Sequence, residues 1–285
     1  MTKSRLPVRY TGQHFTIDKA LIEDAIIQSA IGTSDIVLDI GAGKGFITGH
    51  LTRKAGMVIA IENDARLVKH LQERFRQVLN IRVVGCDFRS FHITEPAFKV
   101  VSNIPYGITS QIFRMLMYHH AERFQGGSII LQLEPARKLF AKEIHNPYAI
   151  VYHTFFNLEL LYEINPGSFL PPPTVQSAML KIERKAGMVA FPQRVKYLHF
   201  VSFLLQKPDL PVRTAFKQLF RKSQLKEISE KHGIPMEPKV GCLSASQWEA
   251  CFIEMMKMVP EKFHPVSSEG AMIDRHGNPV RRVRQ

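Results

Sequence analysis

Between residues 20 and 145, short β-branched or apolar runs alternate with helix-length amphipathic segments. The runs are Ile36–Ile40, Met57–Ile61, Ile81–Val84, Phe98–Ser102 and Gly127–Leu133. Before and between them the pattern predicts helices at Lys19–Ala30, Phe46–Lys54, Ala65–Phe75 and Ser110–Tyr118, with another at Pro135–Glu143. Strands separated by helices join through right-handed crossovers into a mostly parallel sheet, which confines the chain to the α/β class. Two further expected strands, Val151–Ile164 and Val175–Arg184, are separated by a proline-rich turn too short for a helix. Strands joined so tightly form an antiparallel pair, expected here at the edge of the sheet.

Past Lys185 the texture changes. Segments Val195–Gln206, Val212–Arg221, Leu225–His232 and Ser246–Met258 read as helices, punctuated by Pro208, Pro211, Gly233, Pro235 and Pro238. The expected organisation is a catalytic domain over residues 1–187 and a small helical domain over 188–264. Residues 265–285 read as a flexible basic tail with little apolar content and arginines from Arg275 to Arg284.

The formal net charge is +13. It is uneven: +5 over residues 1–184 (21 basic, 16 acidic) and +8 over residues 185–285 (17 basic, 9 acidic). A basic excess of this size attracts phosphate polyanions. Candidate phosphate contacts are Arg114, Arg137, Lys138, Lys217, Arg221 and Lys222, each with the plainer reading of a solvated surface residue. The three cysteines, Cys86, Cys242 and Cys251, lack C-x-x-C spacing, which argues against a disulfide framework and against a metal site. No early apolar run has the length of a signal peptide or membrane span, so a cytoplasmic protein is expected; it is also expected to be a monomer.

Leu38-Asp39-Ile40-Gly41-Ala42-Gly43-Lys44-Gly45 stands where the first strand turns into a helix. Glycines there let a ligand lie against bare backbone at a helix N-terminus. The spacing G-x-G-x-G completes neither the dinucleotide pattern nor a P-loop. Glu62 follows the second strand, where a carboxylate can accept both hydroxyls of a ribose, and Asp87 follows the third, within reach of an adenine amino group. Singly these are ordinary surface acids; together they point to a nucleoside ligand in one crevice.

After the fourth strand comes Asn103-Ile104-Pro105-Tyr106. The exocyclic amine of adenine is a poor nucleophile because its lone pair is delocalised into the ring. Two acceptors for its hydrogens, the side-chain oxygen of Asn103 and the main-chain carbonyl of Ile104, would redirect that lone pair. Pro105 stiffens the turn, and Tyr106 offers a ring for a flipped base. Asn103 cannot act as a general base, so rate would come from alignment and electrostatic positioning.

This order resembles that of the class I S-adenosylmethionine-dependent methyltransferases: glycine loop, acid after strand two, acid after strand three, catalytic motif after strand four. The resemblance implies a Rossmann-like seven-stranded sheet with an antiparallel edge strand, and S-adenosyl-L-methionine as donor, leaving S-adenosyl-L-homocysteine. Asn-Ile-Pro-Tyr followed by Gly107-Ile108-Thr109-Ser110 is similar to the motif of rRNA adenine-N6 methyltransferases. Gln13-His14-Phe15-Thr16 matches their Gln-Asn-Phe segment that closes over the donor, with His14 in place of Asn. If that contact runs through backbone, His14 changes little; if through the side-chain amide, donor affinity differs. Phe169-Leu170-Pro171-Pro172-Pro173-Thr174-Val175-Gln176-Ser177 matches F-x-P-x-P-x-V-x-S, which implies that Phe169 stacks on the target base opposite Tyr106.

The chain most resembles the Erm-type family, in particular its Bacteroides type. That implies N6-methylation, normally dimethylation, of an unpaired adenine in 23S rRNA, with resistance to macrolides, lincosamides and streptogramin B. The housekeeping small-subunit dimethyladenosine transferases are the near alternative; they usually read Asn-Leu-Pro-Tyr-Asn, whereas this chain has Gly107. A non-catalytic RNA-binding or transcription factor on the same fold is the alternative of another class.

Overall fold

The computed structural model describes residues 14–266; Gln13 and the Arg275–Arg284 tail lie outside the described residues. In chain order the elements are β1 (Phe15–Thr16), α1 (Lys19–Gln28), β2 (Ile36–Ile40), α2 (Phe46–Leu51), β3 (Met57–Glu62), α3 (Ala65–Arg74), β4 (Ile81–Gly85) and β5 (Phe98–Asn103). There follow α4 (Thr109–Arg114), β6 (Phe124–Gln132), α5 (Leu133–Leu139), α6 (Pro147–Phe155), β7 (Phe156–Ile164), β8 (Phe169–Leu170) and β9 (Ser177–Arg184). The helical part comprises α7 (Arg194–Leu204), α8 (Val212–Phe216), α9 (Lys222–His232) and α10 (Ala245–Met258).

Seven strands make one sheet in the order β4-β3-β2-β5-β6-β9-β7. From β4 to β6 all neighbours are parallel; β9 runs antiparallel between β6 and β7. The expected antiparallel pair is therefore present at the edge, with the later strand inserted inside the earlier one. Crossovers from β2 progress towards β4, whereas the chain from β5 progresses the other way. Strand order thus reverses between β2 and β5, and the carboxyl ends of those strands leave a crevice.

Local sequence explains the helix starts near this crevice. Asp18 caps α1 by accepting from the main-chain N–H groups of Ala20 and Leu21, and Asp64 caps α3 through Arg66 and Leu67 in the same way. Gly45, at φ +76°, starts α2 in a left-handed conformation, and a Cβ there would lie 2.7 Å from Leu71 and Phe75.

Several boundaries differ from the sequence-based expectation, α5 ending at Leu139 and α8 at Phe216 among them, and two differences bear on the site. Val151–Phe155 is helical rather than the first half of a strand, because Asn146 caps α6 and Pro147 occupies its first turn. Local β-propensity loses there to burial on nearly all sides, which suits a helix that is apolar all round. The second difference is an addition: β1 pairs with β8, Thr16 opposite Phe169, as a two-stranded ribbon outside the main sheet.

One apolar cluster runs from the sheet (Leu38, Ile59, Val100) through α6 to Tyr197, Phe200, Trp248 and Phe252 of the helical part. A second cluster fills the opposite face, joining α1 and α2 to Val37, Val101, Ile130 and Met179. Among the described residues no helix is long and apolar enough to cross a membrane.

Candidate active site

The cavity at the strand-order reversal has a volume of ≈ 390 Å³ and is lined by β1, the glycine loop, Glu62, Asp87 and the segment from Asn103 to Ile108. Gly41 and Gly43 have φ of +74° and +57°. A Cβ on Gly41 would meet the Pro105 ring at 2.9 Å, and one on Gly43 would meet the Phe15 ring at 2.8 Å. The glycine loop therefore lies directly against both the Asn-Ile-Pro-Tyr turn and β1. The main-chain N–H groups of Gly41 and Ala42 donate to the carbonyl of Ile61, at 2.8 and 3.0 Å, which fastens the loop to β3.

Glu62 is buried, and both of its oxygens are engaged. Oε2 accepts from Gly43 N–H at 2.8 Å, and Oε1 accepts from Asn63 and Asp64 N–H at 2.8 and 2.9 Å. These bonds fix the carboxylate at the end of β3, and each oxygen keeps acceptor capacity for a hydroxyl. Asp87 is the N-terminal residue of a short turn and accepts from Arg89 N–H at 2.8 Å. The Arg89 guanidinium, with Nε 3.0 Å from Oδ1, holds the Asp87 carboxyl below the usual carboxylate range. An adenine amine at Asp87 would share that carboxylate with Arg89.

Asp39, in the middle of β2 and 1% exposed, belongs to the glycine-loop stretch, but its spacing there points to no role. Burial pushes its carboxyl up to about 7; the charge of Glu62 pushes the same way, and hydrogen bonds from Thr48 and Ser102 oppose it. The Thr48 hydroxyl donates to Oδ2 at 2.6 Å. No spacing in the sequence marks the pair, because Thr48 reaches Asp39 only after α2 has folded back over β2.

At the end of β5, the Asn103 amide nitrogen donates to the main-chain carbonyl of His14 at 2.6 Å. Its Oδ1 is buried with no hydrogen-bond partner among the described residues. The donor side of the amide is thus anchored and the acceptor side left for something else. Ile104 N–H donates to Ile130 O at 3.0 Å, which binds the turn to β6. Tyr106 OH shares a 2.7 Å hydrogen bond with Ser177 Oγ at the start of β9, and burial raises its pKa. Ser177 closes the F-x-P-x-P-x-V-x-S element, so the sequence marked the position, though not its partner.

His14 meets the Asn-Ile-Pro-Tyr turn through its main-chain carbonyl. Its ring nitrogen Nδ1 lies 2.9 Å from Pro171 O, and its ring stacks beside Tyr106. Thr16 is buried on the cavity wall, and its Oγ1 has no partner among the described residues.

Phe169 is 1% exposed, belongs to the same apolar cluster as Leu21, Ile22, Ile130 and Met179, and is not among the residues that line the cavity. Pairing of β8 with β1 turns Phe169 inwards and leaves its neighbour Leu170 53% exposed. The expected phosphate contacts are dispersed: Arg114 lies over the Tyr148 ring at 4.3 Å, Arg137 is ion-paired with Glu163 at 2.6 Å, and Lys138, Lys217, Arg221 and Lys222 are exposed.

The chain matches the family described as Ribosomal RNA adenine dimethylase over residues 8–257. It is 60% identical over 265 residues to an rRNA adenine N-6-methyltransferase of Bacteroides fragilis, which covers 93% of this chain and 100% of that protein. A probable ribosomal RNA small subunit methyltransferase A of Methanosarcina acetivorans is 30% identical over 76% of this chain and 81% of its own. The crystal structure of 23S rRNA methyltransferase ErmE superposes with a TM-score of 0.74 at 24% identity, over 85% of this chain and 99% of that one. This likeness shows the fold: a Rossmann-like methyltransferase sheet followed by a helical part.

Proposed function

The chain belongs to the ribosomal RNA adenine dimethylase family, and from that premise we propose that it methylates N6 of one unpaired adenine in 23S rRNA, normally twice. The added methyl groups would obstruct the macrolide, lincosamide and streptogramin B site and so confer resistance. The observation that carries the reading is the buried Oδ1 of Asn103, which has no hydrogen-bond partner among the described residues and stands in the wall of the cavity. A buried acceptor without a partner is costly to keep, and an exocyclic amine donates the missing hydrogen bond.

The residues fit S-adenosyl-L-methionine. The glycine loop packs directly against Pro105 and Phe15, which builds that wall of the cavity, and the acids Glu62 and Asp87 on the wall favour a positively charged donor over a pyrophosphate. Glu62 would accept the ribose hydroxyls and Asp87 an adenine amine; Gln13, His14 and Thr16 would close the donor side. When bound, the donor supplies an electrophilic methyl group on a cationic sulfur. Asn103 Oδ1 and the Ile104 carbonyl accept the hydrogens of the target amine, which turns its lone pair towards the methyl carbon. Pro105 braces this turn against Gly41, and Tyr106 supports the base face. Because Asn103 takes no proton, its contribution is orientation and stabilisation of charge developing on the amine.

The test incubates the protein with labelled S-adenosyl-L-methionine and separated 16S and 23S rRNA, then maps the modified base by primer extension. Label at one adenine of 23S rRNA is expected. Label in 16S rRNA would instead establish the small-subunit reading, and no label in either would leave an RNA-binding protein. The 60% identity to the Bacteroides fragilis protein, against 30% to the small-subunit relative, favours the first outcome.

A further inference from the structure

A second, smaller cavity of ≈ 230 Å³ is lined by Gln132, Leu133, Glu134, Val175 and Gln176. We infer that it seats the nucleobase next to the target adenine in the RNA strand, and that it selects a base carrying an exocyclic amine. The inference rests on the adenine-methylating reading above and adds how the enzyme reads the neighbourhood of its target.

Strand register places this cavity beside the catalytic one. Tyr106 lines the catalytic cavity, and its hydroxyl meets Ser177 Oγ at 2.7 Å. Gln132, the last residue of β6, stands opposite Ser177 in the β6–β9 pairing, about 4.8 Å across the ladder. Gln176 immediately precedes Ser177, and its carbonyl accepts from Leu133 N–H at 2.9 Å. Both walls of the small cavity are therefore fixed to the sheet, and Ser177 stands between it and Tyr106. An adenine swung into the first cavity leaves its neighbour on the strand at the mouth of the second. The volume is below the range of about 300–1,000 Å³ usual for a whole small-molecule ligand, which suits a single base.

The lining suits a base edge and not a phosphate. Val175, 43% exposed, and the buried Leu133 offer apolar surface to a ring. The side-chain amides of Gln132 and Gln176 have no hydrogen-bond partner among the described residues, and an amide both donates and accepts. Glu134 only accepts, and its charge repels a phosphate. Arg137 Nη1 lies 3.6 Å from Glu134 Oε1, beyond hydrogen-bond length, so the carboxylate keeps its acceptor capacity. An acceptor-rich cavity of this kind favours adenine, guanine or cytosine, whose amino groups donate, over uracil, which has none.

The full-length protein and RNA hairpins with one unpaired adenine test this. The nucleotide on each side of that adenine is set in turn to adenosine, uridine or an abasic site, and both kcat/KM and Kd are measured. For the wild type one flank should matter: an abasic site there is expected to lower kcat/KM and affinity roughly tenfold, with uridine nearly as poor. In Gln132→Ala/Gln176→Ala the preference for adenosine over the abasic site should collapse to within about twofold. Gln176→Ala alone, at an exposed position, should move the ratio in the same direction and serves if the double variant does not fold. A merely structural defect slows all hairpins alike and leaves the ratio untouched. A wild-type ratio in the variants would therefore overturn the inference, as would a wild type indifferent to both flanks. A wild type that binds the hairpins without methylating any would overturn the proposed function instead, and the Kd ratios would still judge the cavity.

Discussion

Replacing Asn103 by alanine should separate catalysis from stability. Among the described residues the Asn103 amide makes one good hydrogen bond, from Nδ2 to His14 O at 2.6 Å, and Oδ1 is buried without a partner. A hydrogen bond of this kind contributes about 0.5–1.5 kcal/mol, whereas an unsatisfied buried acceptor costs about 1–3 kcal/mol. Alanine removes both and strands the His14 carbonyl, so the opposing effects nearly cancel and stability should change by no more than about 1 kcal/mol. For a protein of this size that is a melting shift of about 2–4 °C. Turnover behaves differently, because a preorganised group that meets charge developing in the transition state is worth about 100- to 1,000-fold in rate. The assay is single-turnover methylation of an rRNA hairpin with donor in excess, beside a thermal melt and a donor titration. Wild-type-like single-turnover rates would refute the orienting role. A melting loss well beyond about 8 °C would show that Asn103 is chiefly structural.

Asp39→Asn should change the pH dependence of stability. The carboxyl has a folded pKa of about 7 against 3.8 in the unfolded chain. Below pH 3.8 both states hold the proton; between 3.8 and 7 only the folded state does, so wild-type stability falls as pH rises through this window and the loss is complete above 7. Three pK units correspond to roughly 4 kcal/mol, so melts from pH 4 to 8 should show the variant flatter and gaining on wild type towards neutral pH; parallel curves would contradict burial of an ionising Asp39. Gly43→Ala forces a Cβ to within 2.8 Å of Phe15 at φ +57° and should cost about 1–2 kcal/mol of stability. It should also weaken S-adenosylhomocysteine binding, measured by calorimetry, because β1 is displaced. Neutralising the exposed Lys217 and Lys222 should lower the slope of log affinity against log salt by about one unit for each lysine that pairs with a phosphate; an unchanged slope would make them ordinary solvated residues.

The fold was largely legible because hydrophobic periodicity and turn residues act locally. The five parallel strands, the glycine loop after β2, the acids after β3 and β4, and Asn103-Ile104-Pro105-Tyr106 after β5 all followed from spacing along the chain. Errors arose where packing overrode local preference. The stretch Val151–Phe155, expected as the start of a strand, is largely buried in α6 and therefore winds as a helix. The β1–β8 ribbon joins residues some 150 positions apart, and two-residue strands carry no periodic signal. That ribbon decides which way Phe169 faces, and the motif spacing carries no sign of it.

Sequence order alone was therefore enough for the reaction class, because the chemistry depends on which residues end successive strands. The state of those residues required the tertiary structure. Only folding brings the His14 carbonyl onto the Asn103 amide, Ser177 onto Tyr106, Thr48 onto Asp39 and Arg89 onto Asp87. Whether a polar atom is paired or left free depends on neighbours distant in sequence, and that pairing leaves Asn103 Oδ1 without a partner among the described residues.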